Sequence, residues 1–185
     1  MLIFQLLYRS CLDSGGRIEE LGPEPLRDVI KAVGGWNLTG NDQSGSGFFQ
    51  ALDFDLRRKV SAVQKFNSNA LFHWYIREGM HNTSQYELFI HQGGLTLPSK
   101  EFYTRDQKSK VALFRYISTA VQLLGGNKKE HASEIHDLVE FEHQLAEIST
   151  RDDGITGMYV SLDRVDEWTR LSPTWGSWRD FFNEV

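Results

Sequence analysis

The chain has 185 residues and a formal net charge of −5, with 40% apolar and 12% aromatic residues. This composition is typical of a soluble globular protein, and the five Trp and twelve Phe side chains exclude a disordered chain, because so many rings must be buried. The sequence has no basic stripe that would neutralise phosphates, so we expect no nucleic-acid partner.

No apolar run approaches the roughly 20 residues that span a bilayer. The opening segment Met1–Leu7 has neither a basic leader nor a small-residue cleavage site, so it is unlike a signal peptide. We therefore predict no signal peptide and no transmembrane segment in this sequence. The single cysteine, Cys11, leaves the redox compartment open.

The first third of the chain is predicted to be helical with one loop. Glu24-Pro25 opens a helix with proline in its first turn, and Gly34-Gly35 ends it. The polar, glycine-rich stretch Asn37–Gly47 predicts an exposed loop. A second helix is expected from about Phe48 to Lys65, because its apolar residues recur near helical spacing.

Two β-favouring runs follow, Ala70–Arg77 and Tyr86–His91, with a polar segment between them. They predict a β-hairpin with a long loop. His73 and His91 would meet across its strands, but strand histidines are more often packed or solvated than catalytic.

The remainder of the chain is predicted to be helical. Thr104 with Gln107 forms a capping box for one helix, which Gly125-Gly126 ends, and Asn127 with Glu130 caps the next. The short connection makes these two helices antiparallel neighbours. The fold class is therefore mainly α with a small β-hairpin (α+β).

Two shorter helices are expected to start at Ser161 and at Ser172-Pro173. The second one is rich in aromatic residues and contains the last residue, Val185. We expect its rings to lack packing partners, because nothing downstream covers them. These rings are Trp175, Trp178, Phe181 and Phe182.

Few residues are candidates for chemistry. His136, Glu140 and His143 share one face of the helix after Asn127, which is workable metal-ligand geometry, but they do not form an H-E-x-x-H site, and a solvated face is the better interpretation. Glu147 with Asp152-Asp153 suggests paired carboxylates, although Gly154 next to them indicates a loop. We predict no catalytic and no metal-binding residue in this chain.

Two glycosylation sequons fall in predicted loops, where glycan acceptors belong. They are Asn37-Leu38-Thr39 and Asn82-Thr83-Ser84. Asn37 and Asn82 are therefore candidate N-glycosylation sites, and they faintly favour secretion.

Several short elements occur in a fixed order along nearly the whole chain. They are Leu7–Asp13, Ile18-Glu19, Pro25-Leu26, Gly34–Trp36, Gln92–Tyr103, Glu140–Glu142, Leu145-Ala146, Ile148 and Tyr159–Val185. Together they resemble the early ectodomain of neprilysin-like zinc metallopeptidases, a family that includes the endothelin-converting enzymes. The resemblance is specific, because the leucine-proline-serine and tyrosine-arginine-serine-cysteine elements are individually rare. Only Asn37–Val60 matches poorly.

The resemblance implies the cavity-covering N-terminal domain of a membrane-anchored or secreted endopeptidase that cuts small peptides. In that family, zinc sits on an H-E-x-x-H helix with a third glutamate ligand further on, and the motif glutamate acts as base. The sequence contains no H-E-x-x-H, so residues 1–185 are expected to be part of the N-terminal domain without the catalytic zinc domain. Cys11 matches a cysteine that the family pairs with a distant downstream partner, so in this chain it is expected to be a free thiol.

Three functions follow from these observations. The first is the N-terminal portion of a zinc metalloendopeptidase, located in an extracellular or plasma-membrane ectodomain by resemblance, which hydrolyses nothing without its catalytic domain. The second is a non-enzymatic, truncated binding module that keeps the covering domain as an interaction surface. The third is a compact metal protein built on His136, Glu140 and His143.

Overall fold

The computed structural model describes residues 2–13, 15–39, 55–149, 157–170 and 175–185. Its helices are α1 (Leu2–Cys11), α2 (Arg17–Leu21), α3 (Glu24–Ala32), α4 (Leu56–Gln64), α5 (Lys100–Thr104), α6 (Gln107–Leu123), α7 (Ala132–Ile148), α8 (Leu162–Thr169) and α9 (Trp178–Glu184). Strands β1 (Phe72–Glu78) and β2 (Tyr86–Gln92) pair antiparallel. The predicted mainly α fold with a small hairpin is confirmed. None of the helices in these ranges combines the length and the apolar character that crossing a bilayer requires.

Helix α3 has the predicted start, with proline in its first turn. It is anchored to the end of α6 by Arg27, whose Nη2 donates to the carbonyl oxygen of Leu124 at 3.0 Å. Gly34 and Gly35 follow the helix with positive φ angles of 109° and 84°, conformations that glycine adopts without strain. These two residues turn the chain back toward the core.

The segment after α3 begins with a buried turn rather than the predicted exposed loop. Asn37–Thr39 forms a 3-10 turn in which Leu38 and Thr39 are buried. Leu38 packs with Val121 of α6 and Ile135 of α7, so the one apolar side chain in a polar run fills a space in the core. The rest of the predicted loop, residues 40–47, lies outside the described residues.

Helix α4 begins at Leu56, with Asp55 as its N-cap accepting from the backbone N–H of Arg58 at 3.1 Å. Residues 48–54, where we expected the first turns of this helix, lie outside the described residues. An aspartate at this position satisfies one of the unpaired N–H groups of the first turn.

The last residue of α4, Gln64, ties that helix to the hairpin. Its Nε2 donates to the carbonyl oxygens of Ala70 and Phe72 at 3.1 and 3.0 Å, and its Oε1 accepts from the indole Nε1 of Trp74 at 2.7 Å. The strands pair in register from Phe72 opposite Gln92 to Glu78 opposite Tyr86. This side chain therefore fixes where β1 starts.

The start of α6 differs from the predicted capping box. Thr104 ends the short helix α5, where its hydroxyl donates to the carbonyl oxygen of Lys100 at 3.3 Å. Asp106 caps α6 instead, accepting from the backbone N–H of Lys108 at 3.0 Å. The N-cap predicted at Thr104 is therefore wrong by two residues. Asp106 takes this position because aspartate is a stronger N-cap than threonine.

Helix α7 also starts later than predicted, at Ala132. Asn127 caps only the turn before it, by accepting from the N–H of Lys129 at 3.1 Å. Near the start of α6, Leu113 packs with Val139 and Ala146 of α7, whereas near its end Val121 packs with Ile135. The two helices therefore run antiparallel, as predicted.

Helix α8 begins after Ser161, whose hydroxyl accepts from the N–H of Arg164, and this confirms its predicted start. Helix α9 begins at Trp178 behind the N-cap Ser177, later than predicted. The predicted start at residues 172–173 lies outside the described residues.

The aromatic residues near the end of the chain are covered, contrary to our expectation. Trp175, Trp178 and Phe181 form a buried cluster with Val60 of α4. The ring of Phe72 in β1 lies 5.0–5.6 Å from all three of these rings, a spacing at which aromatic pairs attract one another. The partners come from upstream elements, which a local sequence pattern does not reveal.

Candidate functional site in the cleft beside residues 93–103

The chain leaves β2 through two glycines that pass close to the start of β1. A Cβ on Gly93 would lie 3.0 Å from the carbonyl carbon of Phe72, and one on Gly94 would lie 2.8 Å from the nitrogen of Leu71. Gly94 also has a φ of 85°, in the region that favours glycine. These glycines direct the residues that follow from the hairpin toward α5.

One carboxylate on α7 holds this crossing segment. Glu142 accepts from the backbone N–H of Thr96 at 3.1 Å, from the Thr96 hydroxyl at 2.7 Å and from the Tyr103 hydroxyl at 2.5 Å. The Tyr103 oxygen in turn accepts from the backbone N–H of Leu97 at 2.8 Å. Hydrogen bonds to a charged acceptor are shorter and stronger than neutral ones, so Glu142 clamps the segment on α7.

The Tyr103 side chain is almost completely buried, with 1% of its surface exposed. Burial raises the pKa of the Tyr103 phenol, and the hydrogen bond to the Glu142 carboxylate raises it further. Both effects disfavour a second negative charge beside Glu142. Tyr103 is therefore a neutral donor at every physiological pH.

Lys100 fastens the other side of the segment to the end of α7. Its Nζ donates to the carbonyl oxygens of Glu147 and Ser149 at 2.7 and 3.1 Å. A cation at a helix C-terminus satisfies unpaired carbonyl groups and complements the helix dipole. The segment is thus bound to both the middle and the end of α7.

A cleft of about 650 Å³ lies between the hairpin and this segment, within the range of small-ligand sites. Its walls carry His73 and His91 on one side and Ser99, Lys100 and Glu101 on the other. The Ser99 hydroxyl donates to Glu101 at 2.7 Å. With histidine, hydroxyl, carboxylate and backbone groups on its walls, the cleft is suited to hold a polar ligand by hydrogen bonds.

His73 and His91 lie directly opposite one another in the strand register, which confirms that they meet across the hairpin. The His73 ring packs 5.3 Å from Tyr75, and His91 Nδ1 lies 3.1 Å from the carbonyl oxygen of Gln92. Within the described ranges, no three His, Cys, Asp or Glu side chains converge to hold a metal ion. Both histidines line the cleft.

The residues of the possible metal triplet do not converge either. His136 and Glu140 are exposed on α7, and His143 Nε2 lies 3.6 Å from Glu147 on the same helix. None of the three belongs to a metal-holding group within the part of the chain that the structure describes. Asp152 and Asp153, the possible partners of Glu147, lie outside the described residues.

The modification candidates lie on separate elements. Cys11 is exposed and is a free thiol in this chain. Asn37 is exposed at the start of its turn, but the Thr39 hydroxyl of the same sequon is buried and donates to the carbonyl oxygen of Trp36 at 2.7 Å. Asn82 is exposed in the hairpin loop, where its Oδ1 accepts from the N–H of Ser84 at 3.0 Å. All three remain predicted sites.

The clamp on Glu142 was not predicted, although its residues belong to the elements that carry the family resemblance. One signal was available in the sequence. Glu142 shares the face of α7 that buries Val139 and Ala146, at three- and four-residue spacing. An isolated acid on an apolar helix face needs a hydrogen-bonding partner, since burying an unpaired charge is costly.

Comparison with known proteins gives consistent matches. A model of the N-terminal domain of peptidase family M13 matches residues 3–185. The chain is 33% identical over 190 residues to an endothelin-converting enzyme homolog of Locusta migratoria, covering 98% of this chain and 25% of that protein. It is 34% identical over 174 residues to endothelin-converting enzyme-like 1 of Homo sapiens, covering 88% of this chain and 22% of that protein.

A solved structure has the same fold. The zinc metalloprotease Zmp1 of Mycobacterium tuberculosis, determined in complex with an inhibitor, aligns with a TM-score of 0.65 at 19% identity, covering 94% of this chain and 26% of that one. The chain thus spans about a quarter of the length of the proteins it matches.

Proposed function

Since this chain belongs to peptidase family M13, as part of its N-terminal domain, we propose that it is the cavity-covering portion of a neprilysin-like zinc metalloendopeptidase that hydrolyses small peptides. The observation that carries this proposal is the match over residues 3–185, supported by relatives at 33–34% identity. Residues 1–185 are then one part of a larger protein, whose catalytic domain is their partner.

We infer that zinc is not held by the part of this chain that the structure describes. Within the described residues no group of three ligands converges, and the 185 residues contain no H-E-x-x-H. We infer that the zinc ligands and the catalytic base belong to residues outside this sequence. Zinc there would polarise the scissile carbonyl and activate water, while this chain shapes access to the reaction.

The cleft of about 650 Å³ gives this chain a place to contact a peptide. Its hydrogen-bonding walls and the fixed segment beside it suit the main chain of a small peptide substrate. The same assignment favours an extracellular or plasma-membrane ectodomain, in which Cys11 pairs with a downstream cysteine and Asn37 and Asn82 carry glycans.

The proposal is tested on two purified proteins, the 185-residue chain and the longest product of its gene. The 185-residue chain should contain no stoichiometric zinc by elemental analysis and should not cleave a quenched fluorescent peptide. The longest product should contain one zinc per chain and cleave the peptide, and a chelator should abolish that cleavage. Stoichiometric zinc with cleavage by the 185-residue chain, or neither property in the longest product, would refute the proposal.

A further inference from the structure

One face of the β-hairpin continues the wall of the cleft. Successive side chains of a strand point to opposite faces of the sheet, so the two cleft histidines share a face with every second residue of their strands. The cross-strand pairs on this face are His73 with His91, Tyr75 with Phe89, and Arg77 with Glu87. We call these six residues the histidine face. It extends from the cleft toward the hairpin loop.

An aromatic pair forms the middle of the histidine face. The rings of Tyr75 and Phe89 lie 5.3 Å apart with an angle of 6° between their planes, and the ring of His73 lies 5.3 Å from that of Tyr75. Tyr75 and Phe89 are both partly exposed. The pair therefore offers an apolar surface, next to the cleft, on which an aliphatic or aromatic side chain can pack.

Arg77 lies at the far end of this face and points back toward the cleft. Its guanidinium carbon is 4.9 Å from the centroid of the Phe89 ring, and Phe89 belongs to the pair that is nearer the cleft. The Arg77 side chain is exposed. A guanidinium packed on a ring keeps the N–H groups at its edge available for hydrogen bonds.

The Arg77 guanidinium has no carboxylate partner among the residues that the structure describes. The carboxylate of Glu87, its neighbour across the strands, is engaged elsewhere. Its Oε2 accepts from the Tyr159 hydroxyl at 2.9 Å, and its carboxyl carbon lies against Gly79, 2.6 Å from where a Cβ of that residue would be. Because the guanidinium fork matches a carboxylate in shape and charge, Arg77 is suited to bind an anionic group from outside these residues.

We propose that Arg77 selects acidic peptides, by pairing with a carboxylate of a peptide whose main chain lies in the cleft. This inference deepens the proposed function and rests on it, because that function makes the cleft a place for a peptide. Arg77 follows His73 by four positions, which is about 13 Å along a strand at about 3.3 Å per residue. An extended peptide covers this distance with about four residues, and the side chains between pack on the aromatic pair.

The charge of the rest of the chain makes this selection local. The net charge of −5 disfavours acidic peptides at long range, so a preference for an acidic residue requires contact with a particular cation. Lys100, the cation in the cleft wall, already donates to the carbonyl oxygens of Glu147 and Ser149. Arg77 is therefore the group expected to recognise the charge of the peptide.

Fluorescence anisotropy tests this inference on the longest product of the gene, with a chelator present to stop zinc-dependent cleavage. A pH of 8 keeps histidines of ordinary pKa neutral. The probes are labelled ten-residue peptides that carry one phenylalanine and a single glutamate, placed at each other position in turn, and the same peptides with glutamine instead. Where the glutamate reaches Arg77, it should strengthen binding about three- to fivefold over glutamine, as an exposed charge pair does.

Arg77→Gln should abolish the difference between the glutamate and glutamine peptides. Arg164→Gln is the matched control, because Arg164 also lies over a ring, 5.8 Å from the centroid of Trp168, but pairs with Glu167. It should leave the difference unchanged. Both variants remove one positive charge from an exposed side chain, so a general effect of net charge would appear equally in the two.

Three results would overturn the inference. One is the absence of any difference between glutamate and glutamine peptides at every position, including a failure of both to bind. Another is a preference of the same size at all positions, which would indicate general charge attraction. The third is a preference that Arg77→Gln retains. Zinc content and cleavage without chelator report on the proposed function separately, so an Arg77-dependent preference in a zinc-free, inactive product would support the inference and refute the peptidase.

Discussion

At the scale of single residues, the hydrogen bonds of Glu142 and Tyr103 join parts of the chain that are distant in the sequence. The carboxylate accepts two hydrogen bonds from Thr96 and one from Tyr103, and the phenol oxygen accepts from Leu97. These bonds hold together residues that are separated by 46 positions (Thr96 and Glu142) and by 39 positions (Tyr103 and Glu142) in the sequence. The position of the cleft wall depends on these contacts.

Tyr103→Phe removes the phenol oxygen and keeps the buried ring. We expect the free energy of unfolding to fall by about 2 kcal/mol, because a hydrogen bond to a charged group is worth about 1.5–3 kcal/mol. Urea unfolding at pH 7, followed by circular dichroism, measures the change. Tyr116→Phe is the control, since the Tyr116 side chain is exposed. A loss no larger than the control's would show that the clamp does not stabilise the fold.

The raised pKa of the Tyr103 phenol predicts that the protein loses stability at alkaline pH. The pKa of Tyr103 is raised in the folded protein, so the folded state holds this proton more tightly than the unfolded state does. Its contribution is complete below the ordinary phenol pKa of about 10 and is lost as the pH rises from there toward the folded value. The urea midpoint should therefore decline above pH 10 more steeply in the wild type than in Tyr103→Phe. Equal slopes in the two proteins would contradict this.

At the scale of elements, the buried turn at Asn37–Thr39 packs against the end of α6 through backbone contact. A Cβ on Gly126 would lie 1.8 Å from the carbonyl oxygen of Leu38, a distance that no side chain tolerates without backbone movement. Glycine at this position therefore allows the turn to close on α6. The buried contacts of Leu38 depend on that approach.

Gly126→Ala should displace the turn and lower the free energy of unfolding by about 2 kcal/mol, within the 1–3 kcal/mol typical of overpacking. Thermal unfolding by calorimetry measures the effect. Gly157→Ala is the control, because a Cβ on Gly157 would meet no atom within 4 Å. Identical melting temperatures for the two variants would show that the turn can move away without cost.

Local signals were enough to predict the elements whose ends are set by neighbouring residues. Pro25 in the first turn of α3 and Ser161 before α8 marked their helices correctly, because a cap acts within one turn. The sequence was less informative where two local signals compete, as Thr104 and Asp106 do. It gave no sign that Leu38 is buried, because its partners Val121 and Ile135 are distant along the chain.

At the scale of the whole molecule, the described core has two parts. Val60, Trp175, Trp178 and Phe181 pack with residues of α4, β1, α8 and α9. The other two buried clusters share Phe114 and Ile117 of α6 as neighbours, so they form one continuous core between α5, α6 and α7. The segment from β2 to α5 connects the two parts.

Phe181→Ala should open the first core part without opening the second. Truncating a buried phenylalanine costs about 3–5 kcal/mol, and Phe181 is completely buried. Hydrogen exchange should become faster in β1, α4 and α9 and remain unchanged in α6 and α7. Phe141→Ala, at a half-exposed position on α7, is the control. Uniformly faster exchange would show a single cooperative unit.

The hydrogen bond between Gln64 and Trp74 also constrains how the sequence can diverge. The amide oxygen of Gln64 accepts from the indole of Trp74 while its nitrogen serves Ala70 and Phe72. A relative that loses the indole N–H leaves a half-buried acceptor unpaired, which disfavours keeping glutamine there. Positions 64 and 74 should therefore covary across related sequences, with glutamine at the first retained mainly where tryptophan occupies the second.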